Sequence, residues 1–218
     1  MKIRALSVVL GLALAIGVSL IPTGVALAEP GAAYLQTQGG AMIPVGAFHD
    51  QQHIGGGYSI LAGYEMLEFL DLNLQFTQTF NDNRNSAYTF SGPGFSGVSN
   101  ETNQTFVVGF GPRINFLPSE YLVRPFGVLQ VEWDHFAYYN EVTFNHQTLI
   151  SNNDQDAVGL QAGLGVEGTI FQLYNNRSDS VPLLELTVGA YGSYHQAFQP
   201  GRPDKQFVTT MATFGARF

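Results

Sequence analysis

The last eleven residues of the chain alternate in polarity, and this alternation constrains the fold more than any other feature. Every second residue counted back from the carboxyl terminus is apolar or neutral: Phe218, Ala216, Phe214, Ala212, Thr210 and Val208. The positions between them are mostly polar or small, with Met211 as the exception: Arg217, Gly215, Thr213 and Thr209. A period of two is typical of a β-strand whose two faces meet different surroundings. The sequence therefore predicts a closing strand with one apolar face and one polar face.

Seven further segments show the same alternation in stronger or weaker form, so eight antiparallel strands are predicted. The clearest is 70–80, where leucine and phenylalanine occupy one face and Asp, Asn, Gln and Thr occupy the other. The other six are Tyr34–Val45, Ile54–Glu65, Gln104–Phe116, Val123–Tyr139, Val158–Ile170 and Pro182–His195. Pro112 lies inside one of them, and because proline has no N–H to donate, it predicts a bulge or a strand end there.

The predicted connections alternate between two kinds. The short turns are Met66–Phe69, Leu117–Tyr121 and Gln172–Ser180. The opposite connections are Gly46–Gln52, Asn81–Asn103, Asn140–Asp156 and Gln199–Asp204, and the middle two are long and polar. An even number of strands, with short turns at one end and long loops at the other, is typical of an outer-membrane barrel. Charged residues make up only 12% of the chain, well below the usual quarter, which favours a lipid-facing surface.

Alternation alone does not decide which face of each strand lies inside the barrel. A soluble lipocalin-like barrel also has eight strands, but its apolar face points inward. Here the polar face is rich in Gly, Thr, Gln and Ser, which are small enough for a narrow lumen, and its charges have both signs. We therefore predict an all-β fold, an eight-stranded antiparallel up-and-down transmembrane β-barrel with its apolar face outward.

The amino-terminal segment predicts export from the cytoplasm. Lys2 and Arg4 precede an apolar run that ends near Pro22, and Ala26-Leu27-Ala28 has the small-x-small pattern of a cleavage site. This is the layout of a secretory signal peptide, although the apolar run is also long enough to approach a membrane anchor. We expect residues 1–28 to be a signal peptide and residues 29–218 to form the barrel domain.

Composition excludes several kinds of function. The chain has no cysteine, so disulfides, thiol chemistry and cysteine metal sites are ruled out. A net charge of −8 argues against nucleic acid as a partner, since binding it requires a basic surface. The histidines are scattered along the sequence, and we expect neither a metal site nor a cofactor.

The whole of residues 29–218 resembles the small eight-stranded outer-membrane proteins of Gram-negative bacteria, such as the OmpA transmembrane domain, OmpX and OmpW. The terminal segment 210–218 is similar to the signal that the barrel-assembly machinery reads in that group, with Phe214 and Phe218 as its aromatic positions. The resemblance implies periplasmic chaperones and the assembly machinery as partners during biogenesis. It also implies a bacterial outer-membrane location, with lipid and lipopolysaccharide around the barrel and both mature termini in the periplasm. We expect a monomer.

Inward charged residues fall into a lower and an upper group. The lower group lies near the predicted periplasmic end and contains three arginines and four carboxylates: Glu65, Asp71, Arg113, Arg124, Glu167, Glu185 and Arg217. Buried charges must be paired, so these residues predict an ion-pair network that plugs the lower lumen. The upper polar cluster contains Glu132, Asp134, Ser193 and His195. It is interpreted either as a shallow acidic pocket or as a wet vestibule without a ligand.

Three functions follow from this pattern, in decreasing order of support. The first is a structural or interaction role through the outer loops, chiefly 81–103 and 140–156, since loops on a rigid scaffold commonly carry recognition. The second, implied by the resemblance to OmpW, is a narrow channel for small or hydrophobic solutes. The third is a lipid A-modifying enzyme that uses Ser193, His195 and Glu132 or Asp134. Serine and histidine are common residues, and we expect no enzymatic activity.

Overall fold

The computed structural model describes residues 31–82, 88–92, 95–118, 121–144, 147–174 and 182–218. The predicted signal peptide, residues 1–28, lies outside these ranges. The strands are β1 (Ala33–Val45), β2 (Gly55–Leu67), β3 (Leu70–Asp82), β4 (Tyr88–Gly92), β5 (Phe95–Asn115), β6 (Val123–Phe144), β7 (Gln147–Leu173), β8 (Leu184–Phe198) and β9 (Lys205–Arg217). A 3-10 helix spans Gly46–Phe48 between β1 and β2. No helix in the described ranges is long and apolar enough to cross a membrane.

Eight of the strands close into a ring of antiparallel pairs. The ring runs β1-β2-β3-β5-β6-β7-β8-β9, and β9 pairs with β1. Among the described strands, the short β4 pairs with the beginning of β5 alone. The backbone groups of Ala33 and Phe218 exchange two hydrogen bonds of 2.9 and 2.8 Å, so both ends of the barrel-forming chain lie at one rim. We name this the lower rim and the opposite one the upper rim.

The outer wall of the barrel is apolar and its interior is polar. Leu164 is 66% exposed and Phe76 is 38% exposed, whereas Asp71 and Arg113 are completely buried. A soluble protein rarely exposes so continuous an apolar surface, but hydrocarbon solvates it well. The prediction of an eight-stranded antiparallel transmembrane β-barrel with its apolar face outward is confirmed, and the alternative of a soluble barrel is wrong.

The strands differ from the prediction mainly at the upper rim. Most of the predicted loop 140–156 is a hairpin, in which β6 and β7 stay paired up to Phe144 and Gln147. Part of the predicted loop 81–103 likewise belongs to β4 and β5. Beyond the barrel both faces of a sheet meet water, so the side chains need no alternation of polarity. The backbone still pairs there, but the sequence carries no period-two signal.

Pro112 neither ends its strand nor creates a bulge. It keeps its place opposite Leu72 of β3, while the pairing of β5 with β6 is interrupted at Gly111 and Pro112. The register is the same on either side of this gap. Phe110 lies opposite Val131 before the gap, and Arg113 lies opposite Val128 after it. The ladder therefore tolerates the missing donor by omitting two consecutive pairs, and the expected bulge or strand end is wrong.

Candidate functional site

The register of the strands brings the seven lower charged residues together. Asp71 lies opposite Arg113, Arg124 opposite Glu167, Glu185 opposite Arg217, and Glu65 opposite Asp71. Each of these pairs joins adjacent strands and points into the lumen close to the lower rim. We call the seven residues the lower ionic layer. In three of these pairs the charges are opposite, and such pairs stabilise both the layer and the register that creates it. Glu65 and Asp71 are both acidic, and each is neutralised by an arginine instead, Arg217 and Arg113 respectively.

Glu167 is the centre of the lower ionic layer. Its Oε1 lies 2.8 Å from Nη2 of Arg113, 3.0 Å from Nη2 of Arg124 and 3.2 Å from Nη2 of Arg217. Its Oε2 accepts a hydrogen bond of 2.8 Å from Nε2 of Gln36. The carboxylate is 1% exposed, so one buried anion is shared by three guanidinium groups.

The other carboxylates complete the pairing around this centre. Glu185 lies 2.5 Å from Nη2 of Arg124, and Glu65 lies 2.9 Å from Nη1 of Arg217. Asp71 is 3.5 Å from Nε of Arg113. Every arginine of the layer therefore pairs with two carboxylates, the shared Glu167 and one other, as expected for buried charges.

Neutral residues that the sequence analysis did not single out also hold the layer. The ring of Phe126 lies 3.8 Å from the guanidinium carbon of Arg113, a cation–π contact. Asn115 accepts a hydrogen bond of 3.0 Å from Nε of Arg113 and donates one of 2.9 Å to Asp71. Asn115 and Phe126 occupy inward positions of their strands. The alternation of inward and outward positions along a strand could therefore have identified them, whereas a search for charged residues alone could not.

A second layer fills the lumen near the upper rim, and it is apolar. It consists of Met42, Phe48, Val107, Phe136, Ala157, Ala197 and Phe207, all of them at most 4% exposed. We call this set the upper apolar layer. Phe48 is supplied by the 3-10 helix between β1 and β2 and meets Phe136 edge to face, with 5.9 Å between ring centroids. Most of this layer was not predicted from the sequence, because apolar residues were expected on the outer face.

The upper polar cluster lies along the inward face between the two layers. Along β8, the inward residues run from Glu185 of the lower ionic layer through Ser193 and His195 to Ala197 of the upper apolar layer. Ser193 and His195 are 3% and 1% exposed, and the carboxylates of Glu132 and Asp134 are completely buried. The upper apolar layer covers the cluster, so these side chains do not open directly to the upper rim.

Three members of the polar cluster form a chain of hydrogen bonds. Ser193 Oγ lies 2.9 Å from His195 Nε2, and His195 Nδ1 lies 2.9 Å from Glu132 Oε2. Ser193 Oγ also lies 2.6 Å from the hydroxyl of Thr209. Asp134 is not part of the chain, since neither of its carboxylate oxygens has a hydrogen-bond partner.

The order serine, histidine, carboxylate is that of a hydrolytic triad, but its surroundings are tightly packed. The ring of Phe207 stacks on His195 with 4.3 Å between centroids. A methyl group added at Gly163 would lie 2.6 Å from the hydroxyl of Tyr191 and 2.8 Å from Cβ of Ser193. A nucleophile needs space beside it for the reacting atom, so this conformation suits a structural network.

The two aromatic residues of the expected assembly signal lie on the outer wall. Phe214 is 51% exposed and Phe218 is 62% exposed, and Phe218 follows directly after β9 at the lower rim. Both rings therefore face the surroundings of the barrel and contribute nothing to either layer of the lumen.

Comparison with known proteins gives structural similarity only. No family model matches the chain, and no curated protein matches its sequence. The chain is similar to a crystal structure of Ail, the attachment invasion locus protein of Yersinia pestis, in complex with the heparin analogue sucrose octasulfate. The identity is 15%, the match covers 86% of this chain and 99% of that chain, and the TM-score is 0.49.

The chain is also similar to the outer membrane protein OprG from Pseudomonas aeruginosa. That match has 12% identity, covers 87% of this chain and 97% of that chain, and has a TM-score of 0.48. The match to Neisserial surface protein A has 16% identity, covers 85% of this chain and 95% of that chain, and has a TM-score of 0.37. Similarities at this level say nothing about ligands or activity, and the function is therefore inferred from the geometry of this chain.

Proposed function

We propose that this protein is an integral outer-membrane barrel that acts through the sheet projecting above its upper rim, while its lumen is closed. The observation that carries the proposal is the unequal length of the strands. Residues 147–157 of β7 pair with β6, but the pairing of β7 with β8 begins only at Val158. The upper part of β7 thus has a strand partner on one side only.

An edge of this kind is suited to binding another extended chain. Its backbone N–H and C=O groups can pair with an added strand, and neighbouring side chains can supply specificity. Leu149 and Ile150 lie next to each other on this edge, and each is 70% exposed. Adjacent residues of a strand point to opposite faces, so an apolar side chain is available on both faces of the projecting sheet.

The filling of the lumen supports the closed state. An eight-stranded barrel has an interior just wide enough for its own side chains, and here an ionic layer and an apolar layer lie at different heights. We propose that together they block passage of solutes. Stable ohmic openings of the wild-type protein in planar bilayers would contradict this part of the proposal and would favour the narrow channel.

Adhesion of whole cells tests the projecting sheet. Residues 140–151 are replaced by a two-residue Asn-Gly turn, which suits a tight hairpin and leaves the barrel strands intact. Cells that express the wild type should bind to a panel of immobilised extracellular proteins more strongly than cells with an empty vector. The shortened variant should lose this gain while it keeps the heat-modifiable migration of a folded barrel.

A point variant sharpens the same experiment. Leu149→Ser combined with Ile150→Ser removes the apolar side chains and retains the backbone edge, so it separates their contribution from that of the strand itself. The proposal fails if the wild type gives no gain in adhesion, or if the shortened variant adheres as well as the wild type. The orientation of the barrel is tested separately by cleavage of residues 147–152 with protease added to intact cells, since a periplasmic lower rim leaves this segment outside.

A further inference from the structure

A pocket of about 220 Å³ opens above the upper apolar layer. It lies between the connection that follows β1 and the connection that precedes β9. The side chains important here are those of Phe48, Tyr138, Gln155, Gln199, Arg202 and Lys205. Two cations, two aromatic rings and two amides thus meet in a space comparable to one sugar unit.

Lys205 is the unusual member of this set. It is only 5% exposed, and its ammonium donates hydrogen bonds to the hydroxyl of Tyr138 at 2.5 Å and to Oε1 of Gln155 at 2.9 Å. An ammonium group has three N–H donors, so one remains for a further acceptor. The ring of Phe136 lies 3.7 Å from the ammonium nitrogen, which holds the charge in place through a cation–π contact.

Among the described residues, no carboxylate lies within 4.0 Å of this buried ammonium, and the buried Asp134 attracts it only through space. Within the described ranges, the only lysine or arginine ion pairs closer than 4.0 Å are those of the lower ionic layer. Asp204, which lines the same pocket, accepts hydrogen bonds from Nε2 of Gln196 at 3.0 Å and from the backbone N–H of Gln199 at 3.3 Å. Its carboxylate therefore shapes the turn before β9. Buried charges are normally paired at contact distance, and Lys205 has no such contact partner among the described residues.

We propose that this pocket binds a small oxyanion, a phosphate or carboxylate group carried on a sugar-sized ligand. The free N–H of Lys205 and the exposed guanidinium of Arg202 hold the anionic oxygens. Gln155 and Gln199 offer amide groups to hydroxyls, and the rings of Phe48 and Tyr138 cover the apolar face of a sugar. Gln155 and Tyr138 belong to the base of the projecting sheet, but the shortened adhesion variant replaces only residues 140–151, so failure of one proposal is distinguishable from failure of the other.

Two sources could supply such a group at an outer membrane, and the experiment distinguishes them. The folded full-length barrel in detergent micelles is titrated calorimetrically with glucose 6-phosphate and with glucose. A second pair of probes is the delipidated core oligosaccharide of lipopolysaccharide before and after treatment with phosphatase. Tighter binding of the phosphorylated oligosaccharide identifies the surrounding lipid as the source, and tighter binding of glucose 6-phosphate identifies a free solute.

Three charge variants make the test specific to the pocket. Lys205→Gln should weaken the binding of the phosphorylated probes by about tenfold or more, the usual effect of losing a hydrogen bond to a charged group. Arg202→Gln should also weaken binding, and because Arg202 is exposed, this variant keeps the fold even if Lys205→Gln does not. Asp204→Asn, nearly the same size as the original, should strengthen binding because it removes a negative charge from the pocket.

The expected pattern is a preference for phosphorylated over neutral probes that falls in Lys205→Gln and Arg202→Gln and rises in Asp204→Asn. The proposal is overturned if no phosphorylated probe binds the wild type more tightly than its neutral partner. It is equally overturned if Arg202→Gln and Lys205→Gln bind the probes as the wild type does.

Discussion

The two layers inside the barrel fill the same narrow space by opposite means. The lower ionic layer consists of seven charged side chains held together by ion pairs around Glu167. The upper apolar layer consists of seven apolar side chains, among them Phe48, which belongs to the connection between β1 and β2. One layer thus depends entirely on the register of the barrel strands, whereas the other depends in part on a segment outside them.

This difference assigns different physical roles to the two ends of the lumen. A buried ion-pair network adds little net stability, because desolvation of the charges offsets their attraction, but it strongly penalises any arrangement that leaves a charge unpaired. It therefore selects one strand register. An apolar layer stabilises in proportion to the area that it buries, but many arrangements of similar volume would serve. We infer that the lower end specifies the barrel and that the upper end closes it.

The largest effect is expected from Glu167→Gln, which breaks the centre of the lower ionic layer. Three guanidinium groups would lose their shared anion, so the free energy of unfolding should fall by about 3–5 kcal/mol, as for other buried pairs that lose one partner. Urea titration of the folded barrel in lipid vesicles measures this quantity. Glu65→Gln is the matched control, since the side chain of Glu65 is 13% exposed and contacts a single arginine. If Glu167→Gln and Glu65→Gln lose the same free energy of unfolding, Glu167 is not the centre of the lower ionic layer.

A slightly smaller effect is expected from Phe136→Ala in the upper apolar layer. The side chain is fully buried, and its loss leaves a cavity that should lower the free energy of unfolding by about 3 kcal/mol. Phe136→Leu, which keeps most of the volume, should restore much of that loss. Because Phe136 also contacts the ammonium of Lys205, the same variants report on the pocket above. If Phe136→Ala unfolds at the urea concentration of the wild type, the upper layer contributes nothing to stability.

The comparison also explains which parts of the molecule the sequence could predict. Arg124 and Glu167, although 43 positions apart by their residue numbers, were expected in one layer because the alternation of polarity and the up-and-down topology fix their height and face. The residue types then implied ion pairs. Phe48 escaped prediction because it lies in a connection, where no period applies. Phe207 escaped prediction because an inward phenylalanine contradicts the polar-inside pattern.

The exposed apolar pair Leu149 and Ile150 and the buried Lys205 were equally invisible in the sequence. Leu149 and Ile150 were placed in a loop because the projecting sheet has water on both faces. The burial of Lys205 depends on Tyr138 and Phe136, which reach it from β6 across the lumen. Such contacts form only when the barrel closes in three dimensions, and the local sequence carries no information about them.

The smallest effect is expected from Ser193→Ala, which lies between the two layers and therefore tests whether they act separately. The variant removes hydrogen bonds to His195 and Thr209 but leaves no buried charge without a partner, so the free energy of unfolding should fall by about 1 kcal/mol. If the layers are independent, the losses in Ser193→Ala and Glu167→Gln should add in the double variant.

If the double variant loses more free energy of unfolding than the two single variants together, the polar cluster is coupled to the lower ionic layer. That result would contradict the division into two independent layers. Mass spectrometry of lipid A from cells that express wild type or Ser193→Ala checks the remaining alternative. A structural hydroxyl predicts identical spectra, because a serine packed between Thr209 and His195 under the ring of Phe207 has no space for a substrate carbonyl. A lipid A product that is present with the wild type and absent with Ser193→Ala would instead require the upper apolar layer to open, and would turn the chain from Ser193 to Glu132 into a catalytic one.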